Sequence, residues 1–280
     1  VIYINDRRVF LSGEELENLM TNYSGTNIKS VEVITNPSAR YDAEGGAIIN
    51  IVTSKNISVG YKGSINTRAT NAVFPKYSIG TEHFYKTDNV NLFAGYSYNQ
   101  NKDFKRDLSF INFFDGNTPS ERWENNFERV TRTYAHNVNT IVDFTINEKN
   151  SLSLSATLLY TPDKVYDNNV ITNIFDTSGA LDSYFTTLSN VENDNTNALI
   201  NLDYTLKLGE KGATLKSNTN YIFYDDEQFQ DITTEYFNSS DLPTQNNNFN
   251  SLAKQENHIV TSQIDISTPW GTTIFDTGLK

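Results

Sequence analysis

Residues Ile28 to Lys55 read IKSVEVITNPSARYDAEGGAIINIVTSK, two β-rich ends around a turn-rich middle. Val31 and Val33 against Glu32 and Ile34, then Ile49 and Ile51 against Asn50 and Val52, predict two short strands whose β-branched residues face a core. Between them Asn36-Pro37 and Gly45-Gly46 supply turn chemistry, since proline fixes φ and glycine permits positive φ. Upstream, Val1 to Ile4 and Arg8 to Phe10 flank Asn5-Asp6 as a hairpin. Ser12-Gly13-Glu14-Glu15 has the spacing of a capping box and predicts a short helix through about Met20. A small β-α-β-β unit results, a pattern that a soluble ferredoxin-like piece would share.

Downstream, from Ile57, the sequence changes to alternation with period two. Ile57, Val59, Tyr61, Ile65 and Ala69 alternate with Ser58, Gly60, Lys62, Asn66 and Arg68. The same holds for Val90, Leu92, Ala94, Tyr96 and Tyr98; for Leu152, Leu154, Ala156, Leu158 and Tyr160; and for Ala198, Ile200, Leu202, Tyr204, Leu206 and Leu208. Strands of about nine to eleven residues with one apolar and one polar face are what a tilted transmembrane strand requires.

The connections alternate too. Short turns are predicted at Thr87-Asp88-Asn89, Asn147 to Asn150, Gly209 to Gly212 and Pro269-Trp270-Gly271. Long polar stretches spotted with aromatic residues lie between them, around residues 100–130, 161–195 and 225–255, and are expected to be loops. Outer-membrane barrels have this asymmetry of short periplasmic turns and long extracellular loops.

Residues 28–55, with the alternating segments after them, resemble the end of the plug domain of a TonB-dependent outer-membrane receptor and its passage into the barrel. Val31, Glu32, Val33, Ile34, Pro37, Ser38, Ala39, Tyr41, Gly45, Gly46, Ile49, Asn50, Ile51, Thr53 and Lys55 fall on the family's pattern of strand, turn and second strand. Asn36 and Thr35 stand where many receptors carry the glycine and arginine of R-G-P, and Asp42-Ala43-Glu44 fills the usual glycine after the tyrosine. That version is similar to the branch usually called the outer-membrane β-barrel protein family.

The resemblance implies a mainly β chain: a small α+β plug remnant over residues 1–56, then an antiparallel transmembrane β-barrel portion over 57–280. The alternating segments give roughly nine strands, against about 22 in plugged transporters of this class. Further chain is expected on both sides, since the sequence opens at Val1 inside a strand and closes at Lys280 in mid-strand. The implied function is ligand binding and active uptake across the outer membrane of a Gram-negative cell. Its partners would be outer-membrane lipid, an unknown extracellular ligand and a TonB complex engaged through an upstream segment. Asn36, Pro37, Arg40, Tyr41, Gly45 and Gly46 would shape the plug turn and gate.

Composition is compatible with this. Lys+Arg 22 against Asp+Glu 34 gives a net charge of -12, which argues against nucleic acid as a partner. Mean hydropathy is -0.51 and no window is apolar for the length of a membrane helix, but only alternate barrel residues face lipid. The chain has no cysteine, which says little in a compartment where disulfides are allowed.

Material for catalysis is poor. His83, His136 and His258 are the histidines, spread over separate strands, and there is no G-x-S-x-G elbow. No enzyme activity, cofactor or metal is expected. Asp225-Asp226-Glu227 and Glu192-Asn193-Asp194-Asn195 could hold a hard cation, as could Asp42 and Glu44, but solvated acidic turns serve as well. Better binding candidates are aromatic residues of the long excursions, Trp123, Phe127, Tyr166, Tyr184, Phe229 and Tyr236 foremost, with Phe175, Phe185, Phe237 and Phe249. Interleaved with Asn and Asp, exposed rings can grip a sugar, peptide or chelate, or they can pack together to order the loop. Two other readings stay open: a non-transporting outer-membrane adhesin or assembly scaffold, and a soluble β-sandwich binding domain.

Overall fold

A computed structural model describes residues 2–4, 7–9, 28–35, 47–53, 59–209, 212–270 and 273–280. The helix expected through Met20 and the turn from Asn36 to Gly46 lie outside the described residues.

The first sheet holds β1 (Ile2–Ile4), β2 (Arg7–Val9), β3 (Ile28–Ile34) and β4 (Ile48–Thr53) in the order β2-β1-β4-β3. β1 and β2 form the expected hairpin, and β1 runs parallel to β4. Its core corrects one expectation. Tyr3 and Ile48 are buried with Ile34 packed against them, and buried Asn50 donates from Nδ2 to Glu32 Oε2 at 3.1 Å. Val31 and Val33 point the other way and are exposed. In a strand one step of parity exchanges the faces, and apolar residues on both parities of IKSVEVI left the sequence no means of choosing.

The second sheet is a nine-stranded antiparallel meander in which every strand pairs with its chain neighbours. Its members are β5 (Gly60–Asn71), β6 (Pro75–Lys86), β7 (Val90–Asp115), β8 (Thr118–Thr145), β9 (Asn150–Phe175), β10 (Leu181–Leu208), β11 (Ala213–Asn238), β12 (Pro243–Trp270) and β13 (Thr273–Leu279). β5 and β13 are its two edges.

Near the short turns the two faces differ sharply. One carries Tyr61, Tyr85, Leu92, Val142, Leu154 and Leu202, which stand opposite one another across six strands. The other carries Asn91, Asn137, Asn139, Ser155, Asn201 and Asp203. Burial is inverted relative to a soluble protein: Ile65 is 76% and Val260 68% exposed, whereas Asn137 and Asn201 are 2% and 5% exposed. The polar face is stitched by side-chain bonds, Asn137 Nδ2 to Ser97 Oγ at 3.3 Å, Thr157 Oγ1 to Asn139 Oδ1 at 3.0 Å and Asn201 Nδ2 to Ser155 Oγ at 3.2 Å. Apolar out and polar in is the pattern of a transmembrane barrel wall.

The predicted long loops are strands. Residues 100–130, 161–195 and 225–255 extend β7 to β12, each of which has 26 or 28 residues. A membrane strand needs about ten residues, so the hairpins run roughly 50 Å further along the strand direction. Tight turns close them. Asp176 Oδ1 accepts from the backbone N–H of Ser178 (2.8 Å) and Ala180 (3.0 Å), and Asn238 Oδ1 from those of Ser240 and Leu242 (both 3.0 Å). Polar residues on both faces hid these strands from a search for alternation; their support is the unbroken ladder. β12 runs on through Pro269 and Trp270, and Trp270 pairs with Thr273 of β13, so the chain reverses just beyond those two residues of the predicted turn; Gly271 lies outside the described residues.

One irregularity sets the geometry above the apolar band. His136 faces Tyr160 while Tyr134 faces Asp163, and Asn195 faces Thr161 while Asn193 faces Lys164. Toward both neighbours β9 thus carries one extra residue, within the stretch Thr161-Pro162-Asp163. Proline has no N–H for a ladder, so a bulge is where a central strand tolerates it. Beyond the bulge the parity of β9 reverses.

Candidate functional site

The bulge brings aromatic and cationic side chains together on the extension of the polar face. Below it the polar side of β9 is odd-numbered (Ser153, Ser155, Thr157); above it the same side is even-numbered, and Tyr166 joins Phe127 and Arg129 of β8. The Arg129 guanidinium lies 5.1 Å from the Phe127 ring centroid and 5.2 Å from that of Tyr166, within cation–π range of both. Its Nε donates to Asn168 Oδ1 at 2.6 Å, which fixes the fork. Lys105 lies 5.9 Å from the Phe127 ring and Lys164 5.1 Å from the Tyr166 ring. Lys105 also pairs with Asp107 at 2.8 Å, whereas Arg129 has no carboxylate partner among the described residues.

Nearer the hairpin tips a row of rings lies on the same side. Phe113 is 5.2 Å from Trp123, Trp123 6.0 Å from Phe185 in an edge arrangement, and Phe185 5.3 Å from Tyr236. Trp123 Nε1 donates to Glu121 Oε2 at 3.0 Å. Four of the six foremost predicted aromatics, Trp123, Phe127, Tyr166 and Tyr236, therefore share the polar face. Tyr184 and Phe229 have the opposite parity and lie on the outer extension of the apolar face, Tyr184 stacked on Phe237 at 4.8 Å. All six stand in strands, not loops. Sequence reasoning missed Arg129, Lys105, Lys164 and Phe113. Their signal was the alternation Lys105-Asp107 and Phe127-Arg129, legible only with the register in hand.

The predicted gate residues Asn36, Pro37, Arg40, Tyr41, Gly45 and Gly46, with Asp42 and Glu44, fall outside the described residues. The acidic runs meet across β10 and β11, where Asp194 stands opposite Glu227. Asp225 and Glu227 take one face and Asp226 the other, where Asp226 Oδ1 accepts from Asn193 Nδ2 (2.9 Å) and Asn195 Nδ2 (3.2 Å). No group among the described residues has the ligands to hold a metal ion.

The histidines lie on the apolar face, each with a tyrosine. Hydroxyls of Tyr61, Tyr96 and Tyr221 are hydrogen-bonded to Nδ1 of His83 (2.6 Å), His136 (2.9 Å) and His258 (2.8 Å). Gly63 makes the first of these pairs possible: a Cβ there would stand 2.6 Å from the Tyr61 hydroxyl.

Residues 206–280, the end of β10 through β13, match the outer membrane protein beta-barrel family. No curated protein matches. Among solved structures the chain is similar to the siderophore receptor PiuA from Acinetobacter baumannii, at 12% identity and TM-score 0.29 over 95% of this chain and 54% of that one. It is also similar to the ferric-catecholate import receptor Fiu from E. coli K12, at 10% identity and TM-score 0.29 over 95% of this chain and 60% of that one. The chain thus spans little more than half the length of these receptors. A meander with an outward apolar face, whose last strands match an outer-membrane barrel family, is a portion of an outer-membrane β-barrel.

Proposed function

We propose that this outer-membrane β-barrel chain is part of a TonB-dependent receptor, and that it binds an extracellular ligand for active uptake. In this reading residues 1–56 are the end of the plug and 57–280 the first strands of the barrel. The apolar face meets lipid and the polar face lines the lumen. Asn36, Pro37, Arg40, Tyr41, Gly45 and Gly46 shape the plug turn, which a TonB complex moves through a segment outside this chain. No bond is made or broken; the work is binding, orientation and release.

The observation that carries the proposal is the shared face of Trp123, Phe127, Arg129, Tyr166 and Tyr236. Side chains on the lumen parity of the extended hairpins stand where a ligand entering from outside passes before it reaches the barrel. Rings with polar groups between them offer a stacking surface, and Arg129, its Nε already held by Asn168, presents a fixed cation.

The test is to produce the full-length protein, establish that it fractionates with the outer membrane as a heat-modifiable species, and measure ligand-dependent growth or uptake with and without TonB. Uptake that needs TonB supports the proposal; a folded barrel with no TonB-dependent uptake of any ligand supplied sinks it. A scaffold or adhesin is the second reading, favoured by the reach of the hairpins and by Leu108, Phe110 and Leu252, exposed on their outer face. That reading requires surface attachment that survives loss of TonB.

A further inference from the structure

The outer face of the hairpins, away from the lumen, carries a groove of about 420 Å³ that takes no part in the proposed uptake route. That volume lies within the range of small-ligand sites. We infer that it binds a saccharide without net charge.

Its lining follows from register. Phe104, Val130, Asp167, Asn190 and Asp231 stand opposite one another across β7 to β11, with Leu188 on the next rung. Phe104 lies on the same parity of β7 as Leu92 and Tyr98, and no register shift separates them. The groove therefore opens to the side that is lipid-facing lower down, six residues beyond Tyr98 or about 20 Å along the strand. Asp167 reaches this face because the extra residue at Thr161-Pro162-Asp163 has reversed the parity of β9.

The chemistry selects among ligands. Phe104, Val130 and Leu188 give an apolar floor, with Phe104 and Leu188 exposed. Polar groups above it are already oriented. Asp167 Oδ1 accepts from Asn190 Nδ2 at 2.8 Å and Asp167 Oδ2 from Arg132 Nη2 at 3.1 Å, while Glu128 pairs with Arg106 at 3.4 Å. Two of the three groove carboxylates are thus neutralised and still have lone pairs to accept hydroxyl protons. Asp231 has no hydrogen-bond or ion-pair partner among the described residues. An anion would meet these carboxylates, and a hard cation lacks a converging ligand set. A sugar ring fits both demands: its C–H face stacks on the apolar floor, and its hydroxyls donate to the fixed carboxylates.

The sugar could come from a free glycan or from the glycolipid of the outer leaflet beside the barrel, and both are tested. The full-length protein in detergent is applied to an array of uncharged oligosaccharides, and separately to lipopolysaccharide carrying an uncharged O-chain, to the same molecule without that O-chain and to lipid A. Phe104→Ala, Asp231→Asn and Arg129→Ala variants are compared, each first shown to be heat-modifiable. The expected result is binding to at least one array glycan, or to lipopolysaccharide with the uncharged O-chain over the same molecule without it, that weakens at least tenfold in Phe104→Ala and Asp231→Asn and is unchanged in Arg129→Ala. Binding lost only in Arg129→Ala places the sugar in the lumen and overturns the inference, as does the absence of binding to every array glycan and to lipopolysaccharide. Failure of TonB-dependent uptake leaves this test untouched.

Discussion

Two aspartates on the hairpins respond to pH in opposite directions. Asp176 is held below its usual range by the Ser178 hydroxyl first, then by the backbone N–H of Ala180. Its support of the β9–β10 turn is therefore full above the ordinary aspartate pKa and is lost as pH falls through the depressed value. Asp176→Ala is expected to raise amide exchange at Ser178 and Ala180 at neutral pH, with the difference from wild type closing in acid. Asp194 is pushed up, by desolvation first and then by Asp163 and Glu227. The sign reverses: what its protonation contributes to stability is present below the ordinary pKa and lost as pH rises through the raised one. Asp194→Asn should stabilise the hairpins at pH 7 by less than about 1 kcal/mol, since solvent screens exposed charges, and the gain should vanish in acid; a gain that persists at low pH would assign it to another cause. For the polar-face cluster, the proposed uptake route predicts that Arg129→Ala reduces ligand uptake at least tenfold with surface abundance unchanged. Conserved charge in Arg129→Lys should restore only part, because the guanidinium lying between Phe127 and Tyr166 is planar and a lysine ammonium is not.

At the scale of elements the β9 bulge has the widest consequences. It lets Leu158 and Asp167 share one face and Thr157 and Tyr166 the other, so both the polar-face cluster and the outer groove require that the ladder absorb the extra residue at this point. Deleting Pro162 should remove the bulge and leave the faces of residues 163–175 as they are, because Asp163 then follows Thr161 in unbroken alternation and still meets Tyr134. Trypsin cleavage at Lys164 and the heat-dependent mobility shift are then expected to match wild type. A deletion variant cut faster than wild type at Lys164 would show that the bulge itself, and not only the register beyond it, is needed. The same element explains what the sequence did and did not reveal. Leu152 to Tyr160 showed their strand openly because one face meets an apolar phase. Residues 161–195 did not, since water wets both faces and Asn and Asp are poor strand formers. What holds them extended is pairing with neighbours through the whole length of β8, β9 and β10.

For the whole molecule the open edges decide behaviour. β5 and β13 are each paired on one side only, and unpaired backbone groups in lipid cost several kcal/mol each. Residues 1–280 expressed alone should aggregate without detergent and show no heat-dependent mobility shift, whereas the full-length chain should show one; a soluble, monodisperse 1–280 would overturn the membrane assignment. The sequence by itself determined the class of this protein: alternation over membrane-spanning lengths and strong turn residues identify a barrel wall. Those signals are local, set by one residue's neighbours in the chain and by the phase its side chain meets. Only the tertiary structure decided that the long polar stretches are paired strands, that Val31 and Val33 turn away from the buried face, and that Tyr166 meets Arg129 while Tyr184 and Phe229 stand outside. Each of those is a question of register, and register is fixed by the partner strand, not by the residues of the strand itself.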